Sequence, residues 1–271
     1  MKMRQVNPNI YTNEYYLHYC STVNSSGEVD DRFKKLFEFI KDYDNKKILD
    51  LGCGNGDLSI YLGKKGANVV GIDYSKNAIR IAQKKLSKEK KLIGKVKFLN
   101  MDANKIKFNK NIFDMVISID VFEHLYPEEL EKVMKKISNI LKRNGELLVH
   151  TEANKIYLNF THRWLMYPIS SFLIWINKIL TGNSYPNLPM DPRSDLHKMQ
   201  HVNEPTYYYL LKLFKKYKFK GRIIPVIPYK PFISWKDLIY NFFVWLFPFS
   251  KFWPIHLLFA YDYICIMKKM N

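Results

Sequence analysis

The sequence has few cysteines, and its first residues lack the pattern of a leader. Cys20, Cys53 and Cys265 are odd in number and far apart, which argues against a disulfide framework and against a zinc cluster. Residues 1–19 are polar and rich in tyrosine without an apolar core, so no secretory signal is expected there. These features predict a reducing, cytoplasmic setting.

Acidic residues are scarce relative to basic ones. The 43 lysines and arginines exceed the 25 aspartates and glutamates, and the net charge is +18. Such a surface is either simply solvated or attracts an anionic partner, and the two candidate partners are nucleic acid and a membrane surface.

A strand-to-turn-to-helix pattern follows in Lys47–Leu62. An apolar run ends at Asp50, glycines follow at 52, 54 and 56, and an amphipathic helical pattern begins at once. Glycine lets the backbone take a positive φ and approach a small molecule closely. A dinucleotide-binding turn would need a third small residue where Asp57 stands, and that carboxylate would repel a pyrophosphate.

The turn resembles the first motif of class I S-adenosylmethionine-dependent methyltransferases. The resemblance implies cofactor contacts from Asp50, Gly52, Cys53, Gly54 and Gly56. A second strand, Asn68–Asp73, ends about 20 residues later in a carboxylate that can accept both ribose hydroxyls. By the same resemblance, Tyr74, Asp102 and Ala103 would lie along the adenine, and Asp120 would complete the cofactor site.

Five apolar segments alternate with helix-length segments, which predicts a parallel sheet with ligands at the carboxyl ends of its strands. The strands are expected at 47–50, 68–73, 95–103, 112–119 and 145–151. The resemblance implies an α/β, Rossmann-like, seven-stranded methyltransferase sheet with helices on both faces. A sixth strand at 221–227 and a last, antiparallel strand at 257–267 would complete it.

The segment after the fourth strand carries the acceptor chemistry. Asp120, Glu123 and His124 resemble an element of quinone-pathway O-methyltransferases that can hold a divalent cation beside the acceptor hydroxyl. Glu123 and His124 are therefore candidate catalytic residues, with or without a metal. His150, at the end of the fifth strand, and His201, before a helix that Pro205 can start, are further candidate bases.

Two charge-free stretches of thirteen residues, Trp164–Ile176 and Leu238–Ser250, are too short to span a bilayer, which needs about 20 apolar residues. Trp, Tyr and flanking basic residues favour an interfacial helix pair, and packing of both segments as a lid over the active site is the alternative. The protein is therefore expected to be cytoplasmic and peripheral on an anionic membrane.

These features favour a methyltransferase that acts on the oxygen of a lipophilic acceptor, a quinone precursor or a lipid-linked saccharide. The Asn/Asp-Pro-Pro-Tyr/Phe motif of base-amino methyltransferases is absent, so an RNA methyltransferase is the less favoured reading. A non-catalytic cofactor-binding partner protein is the third. The predicted units are an N-terminal cap segment 1–29, a cofactor core 30–151, a cap insertion 152–204, and a C-terminal part 205–271 with an apolar insertion 228–256.

Overall fold

A computed structural model describes residues 6, 23, 28–38, 40, 42–152, 154–183, 185–186, 188–229 and 232–270. Seven strands form one sheet in the order β3-β2-β1-β4-β5-β7-β6. Strands β1 to β5 are parallel, and β7 runs antiparallel between β5 and β6. The strands are β1 Lys47–Leu51, β2 Asn68–Asp73, β3 Lys95–Asn100, β4 Phe113–Ile119, β5 Leu141–Thr151, β6 Phe219–Val226 and β7 Asp262–Lys269.

Both faces of the sheet are covered, as the alternation of its apolar side chains requires. On β1, Leu49 and Leu51 point to one core, and Ile48 between them points to the other. Helices α4 and α7 pack on the first face, and α1 and α2 pack on the second. The helices around the sheet are α1 Asp31–Phe37, α2 Asp57–Lys64, α3 Lys76–Leu86, α4 Pro127–Ile140 and α7 Tyr207–Lys216. The predicted methyltransferase sheet with helices on both faces is confirmed.

Hydroxyl side chains fix the starts of several helices. Ser75 Oγ accepts from the Ala78 amide before α3, and Thr206 Oγ1 accepts from the Tyr209 amide before α7. Each such cap satisfies an amide that has no partner within the helix. Thr206 thus caps α7, which begins at Tyr207, two residues beyond the predicted Pro205.

Several strand boundaries differ from the predicted ones. β1 ends at Leu51, one residue beyond its predicted end, and β3 ends at Asn100, three residues before its predicted end. β5 begins at Leu141, and its polar start pairs with β4 across an irregularity in register, which an apolar count cannot detect. β6 is shifted by two residues at its start. The last strand begins at Asp262 and not at Leu257, because His256–Phe259 form a short helix, α9, that packs into the neighbouring cap.

A cap of helices and aromatic side chains follows β5 and β6. It contains a π-helix, Tyr157–Met166, which runs directly into α5, Tyr167–Thr181, together with α6, Asp195–Gln200, and α8, Trp235–Val244. Its interior is an aromatic and aliphatic cluster of Tyr157, Leu158, Met166, Val244, Trp245 and Phe259. Within the described ranges, no helix combines the length and apolar character needed to cross a bilayer. The predicted segment 1–29 and Cys20 lie almost wholly outside the described residues, and the division into units stays a prediction.

Candidate active site

The glycine turn after β1 is held tightly against the sheet. Gly52, Gly54 and Gly56 have φ values of 74°, 50° and 81°, which L residues with side chains rarely adopt. The amides of Gly52 and Cys53 both donate to the carbonyl of Ile72, at 2.8 and 3.0 Å. A Cβ at Gly52 would clash with Cγ2 of Val121, so the turn leaves no room for a side chain there.

Asp73, at the carboxyl end of β2, closes this turn. Its carboxylate accepts from the Gly54 amide at 3.0 Å and from the Ser75 amide at 2.8 Å. Burial raises the pKa of Asp73 to about 6, although both amide bonds oppose the rise. A carboxylate has about four acceptor sites, so Asp73 retains capacity for ribose hydroxyls.

Asp50 faces inward beside it. Its carboxylate accepts from Ser59 Oγ at 2.6 Å, and burial raises its pKa to about 7, with the charge of Asp73 adding to the effect. The Cys53 side chain packs among Ile60, Ile79 and Phe98, so only its main chain faces the turn side of the sheet. The sequence predicts that both residues contact the cofactor, whereas in the structure both side chains are buried next to the turn.

The predicted adenine side lies beyond β2 and β3. Asp102 Oδ1 accepts from the Asn104 amide at 2.8 Å and caps a short 3₁₀-helix that begins at Ala103. Tyr74 packs in a small cluster with Val6 and with Val202 of the cap. The N-terminal part, the core and the cap therefore meet at this tyrosine.

These residues fit S-adenosylmethionine. An added Cβ would clash with neighbouring side chains at Gly52 and at Gly56, so the backbone of the turn stays bare. The turn is bounded by Asp73, whose carboxylate suits ribose hydroxyls, and Asp102 offers a carboxylate on the predicted adenine side. Asp57, which begins α2, is paired with Lys85 at 2.5 Å. The fit depends on the backbone of the turn and on Asp73, Asp102 and Tyr74.

A histidine between two carboxylates stands at the carboxyl ends of β4 and β5. His150 Nδ1 lies 2.5 Å from Asp120 Oδ1, and His150 Nε2 lies 3.7 Å from Asp262 Oδ2 on β7. Burial alone lowers the pKa of His150, but the two carboxylates outweigh it and raise the pKa well above its usual value. The raised pKa favours the protonated ring, in which neither nitrogen can accept a proton, so the environment of His150 does not favour its predicted role as a general base.

Glu123 is completely buried next to this group. Its Oε2 accepts from Thr151 Oγ1 at 2.8 Å, and Oε1 has no hydrogen-bond partner. Burial, with the charges of Asp120 and Glu152, raises the pKa of Glu123 well above its usual value. The raised pKa favours the neutral carboxyl, which would have to lose its proton before Glu123 could act as a base or as a metal ligand.

Three imidazoles line the other side of Glu123. The rings of His124 and His201 meet edge to face at 4.8 Å, and those of His197 and His201 lie 3.8 Å apart. His124 Nδ1 lies 3.1 Å from the carbonyl of Gln200. Because a carbonyl only accepts, this nitrogen carries the proton and Nε2 carries the lone pair. Burial lowers the pKa of His124, so the ring is neutral.

His201 is a weak base in this environment. Burial lowers its pKa to about 2, and the neighbouring imidazoles of His124 and His197 add to the effect. His201 Nε2 lies 3.7 Å from Glu152 Oε1. Of the three histidines predicted as bases, only His124 is neutral, partly exposed and tied to one tautomer.

The same group offers ligands for a cation. Glu123, His124 and His201 each present one ligand atom, and these atoms lie within 4.8 Å of one another. Sequence reasoning predicted Asp120 as the third ligand, whereas the structure engages Asp120 with His150 and brings His201 into the group. One carboxylate oxygen and two neutral imidazole nitrogens suit a transition metal such as zinc better than magnesium.

Some residues at the site were not identified from the sequence. Glu152 follows β5 directly, and the rule that located Asp73 and Asp120 at strand ends would have found it. Asp262 and His197 give no such signal, because their proximity to His150 and His201 arises only from the order of β5 and β7 and from the fold of the cap.

Comparison with known proteins agrees with this geometry. A family model described as a methyltransferase domain matches residues 48–145. Phosphoethanolamine N-methyltransferase of Plasmodium falciparum is 30% identical over 232 residues, which cover 78% of this chain and 83% of that protein. Ubiquinone biosynthesis O-methyltransferase of Pelagibacter ubique is 37% identical over 108 residues, which cover 40% of this chain and 42% of that protein.

Solved structures share the fold. A candidate S-adenosylmethionine-dependent methyltransferase from Listeria monocytogenes superposes with a TM-score of 0.58 at 18% identity, covering 92% of this chain and 100% of that one. With the glycine turn, the strand-end carboxylates and the sheet order, these matches place the chain in the class I S-adenosylmethionine-dependent methyltransferases. It is an enzyme that uses S-adenosylmethionine as its methyl donor.

Proposed function

We propose that the enzyme methylates an oxygen of a small, lipophilic acceptor, such as a quinone precursor or a lipid-linked saccharide, with His124 as the general base. The observation that carries the proposal is the bond of His124 Nδ1 to the Gln200 carbonyl, which leaves the lone pair on Nε2. Methyl transfer from a sulfonium is an in-line displacement, so the acceptor hydroxyl must be aligned and lose its proton.

The surroundings of His124 support a lipophilic acceptor. The cap places an aromatic group beside the polar cluster, with Tyr157 stacked on Trp245 at 6.0 Å and edge to face with Tyr261 at 5.3 Å. The carboxylate of Glu152, which lies next to His201, is also close enough to Tyr261 to act on it electrostatically. The acceptor site would then have one aromatic wall and one wall of carboxylates and imidazoles, which suits a ring or prenyl group with a polar end.

Methylation of an amine is the second candidate. A relative that matches over 83% of its own length is named as phosphoethanolamine N-methyltransferase. Carboxylates at Asp120, Glu152 and Asp262 stand around the same rim, and they would attract an ammonium group. In that case His124 would remove the proton from the attacking nitrogen.

The test uses methyl-labelled S-adenosylmethionine with matched acceptors. A lipophilic catechol, its amino analogue and phosphoethanolamine would be incubated with the enzyme, alongside a total lipid extract, and the labelled products analysed by mass spectrometry. Label in an ether supports the proposal, and label only on nitrogen overturns it in favour of the second candidate. Tight cofactor binding without transfer to any acceptor would contradict both and favour a non-catalytic partner protein.

A divalent cation at Glu123, His124 and His201 would change the role of His124. A His124 that ligates a metal through Nε2 could not also take the proton, and the metal would then lower the pKa of the acceptor hydroxyl. The metal-free base and the metal ligand differ in their response to chelation.

A further inference from the structure

Helix α5 exposes its apolar side chains, which is the reverse of an ordinary surface helix. Of its fifteen residues only Ser170 is buried, at 1% exposure, although most of the helix is apolar. Phe172, Trp175 and Ile179 are exposed, Trp175 at 57%. A helix that packs by its apolar stripe would bury these side chains and expose the serine.

Helix α8 repeats the inversion. Asn241 and Val244 are its buried residues, with Asn241 at 0% exposure, whereas Phe242 and Phe243 are each 48% exposed. Leu238 and Trp235 are exposed on the same helix. Two neighbouring elements therefore direct their largest apolar side chains away from the protein.

The two helices form one surface. They contact each other, and Leu165, Ile169 and Tyr240 pack into the same interior cluster as Val244. A concave apolar site of about 320 Å³ opens on α8 and the turn after it. We call the outer face of these two helices the cap face; its exposed apolar members are Phe172, Trp175, Ile179, Trp235, Phe242 and Phe243.

The charges around the cap face are almost all positive. Lys236 lies over the ring of Trp235 at 6.0 Å, Lys251 over Phe247 at 4.4 Å, and Arg163 over Trp164 at 5.6 Å. Residues 157–181 and 232–258 contain a single acidic residue, Asp237. Its carboxylate accepts from the amide and hydroxyl of Ser234 and so caps α8.

We infer that the cap face docks on an anionic bilayer surface, with α5 and α8 lying in the plane of the headgroups. Aromatic side chains enter the acyl boundary, and Lys and Arg remain at the phosphate level, which is the arrangement of interfacial helices. The exposed Trp residues and the basic rim together favour a lipid surface over a protein as the partner. The core of a protein interface is depleted of lysine, whereas an anionic leaflet attracts lysine. The inference rests on this surface alone and is independent of the acceptor.

The test is flotation of the full chain with phosphatidylcholine vesicles that contain or lack phosphatidylglycerol. The wild type should float with the anionic vesicles. Phe242→Ser/Phe243→Ser should lose most of this binding at an unchanged melting temperature, because both side chains are already exposed. Lys236→Gln/Lys251→Gln should bind anionic vesicles about fivefold more weakly for each charge removed and should bind neutral vesicles as the wild type does.

A matched control exchanges exposed apolar residues elsewhere. Ile93 and Met270 are exposed outside the cap face, and Ile93→Ser/Met270→Ser should float as the wild type does. Quenching of wild-type tryptophan fluorescence by lipids brominated on the acyl chain tests insertion without any substitution. A folded wild type that neither floats nor is quenched would overturn the inference, as would a stable dimer that Phe242→Ser/Phe243→Ser dissociates, which would identify the cap face as a contact between copies.

Discussion

Asp120 and His150 are joined twice across the end of the sheet. The Asp120 amide donates to the His150 carbonyl at 3.1 Å, and the Asp120 carboxylate meets His150 Nδ1 at 2.5 Å. Asp120 takes a φ of 52°, which turns its side chain back over β5 and which Asp and Asn tolerate better than most residues. This pair of a buried His150 and a partly exposed Asp120 thus fixes the rim on which the acceptor would be held.

Asp120→Asn should destabilise the protein and alter its pH profile while preserving the backbone. Because the pKa of folded His150 is raised, its stabilising effect is complete below the unfolded value of about 6.5 and is lost as pH rises through the folded pKa. The variant should lose about 1.5–3 kcal/mol near neutral pH and show a smaller alkaline decline. Denaturant unfolding at several pH values, with NMR titration of His150, measures both effects.

Asp114→Asn is the control of opposite sign. Asp114 pairs with Lys142 at 2.7 Å near the amino-terminal ends of β4 and β5. Burial alone would raise the pKa of Asp114, but the pairing outweighs burial and lowers it. Its stabilising effect is lost as pH falls, so the substitution should act on the acid side alone. An alkaline change in Asp114→Asn equal to that in Asp120→Asn would contradict the assignment to His150.

Gly52→Ala should abolish cofactor binding through its clash with Val121. Gly182 provides the matched control, because it has a similar φ of 71° but nothing within 4 Å of an added Cβ. Gly182→Ala should therefore cost only the backbone strain, about 1 kcal/mol, and bind cofactor normally. Val121→Ala should partly restore binding to Gly52→Ala in calorimetry, and failure to do so would place the loss in φ and not in the contact.

Asp73→Ala should weaken S-adenosylmethionine binding by roughly ten- to a hundredfold, equivalent to about 1.5–3 kcal/mol for bonds to a charged acceptor. Since the pKa of Asp73 is about 6, wild-type affinity should fall as pH drops below that value and the carboxylate is protonated. Calorimetry across this pH range is the measurement. Equal affinity in Asp73→Ala and the wild type would exclude Asp73 from the cofactor site.

His124→Ala should reduce turnover by roughly 10²–10⁴-fold with little change in cofactor affinity, because the ring acts on the acceptor. Added imidazole should restore part of the rate, which a merely structural histidine would not allow. His256→Ala, on α9 away from the polar cluster, is the control and should keep its rate. An unaltered rate in His124→Ala would eliminate both the base and the metal ligand.

Chelation separates those two roles. If Glu123, His124 and His201 hold a cation, EDTA should abolish turnover, and His201→Ala should lose zinc binding in calorimetry. His162→Ala, whose ring bonds to the Pro189 carbonyl in the cap, should bind zinc as the wild type does. Full activity after exhaustive chelation would leave His124 as a metal-free base.

The core strands were predictable because apolar side chains and strand-end carboxylates are local signals. Asp50, Asp73 and Asp120 each end an apolar run, and the structure places each at the carboxyl edge of the sheet. The second carboxylate partner of His150 was not predictable, since β7 brings Asp262 to it from more than a hundred residues away. The π-helix and the exposure of the apolar side chains of α5 could not be predicted from composition either. The same apolar residues can pack into the protein or face outward.

The contact of Tyr74 with Val6 and Val202 bears on the kinetics of the reaction cycle. A nucleoside seated along Tyr74 would lie beside Val6 of the N-terminal part and Val202 of the cap, so its departure would require Val202 to move away. Departure of the demethylated product is then a gated event, slower than exchange from an open groove. We expect Val202→Ala to shorten the residence time of that product and to raise the steady-state rate, whereas the single-turnover rate of methyl transfer stays the same.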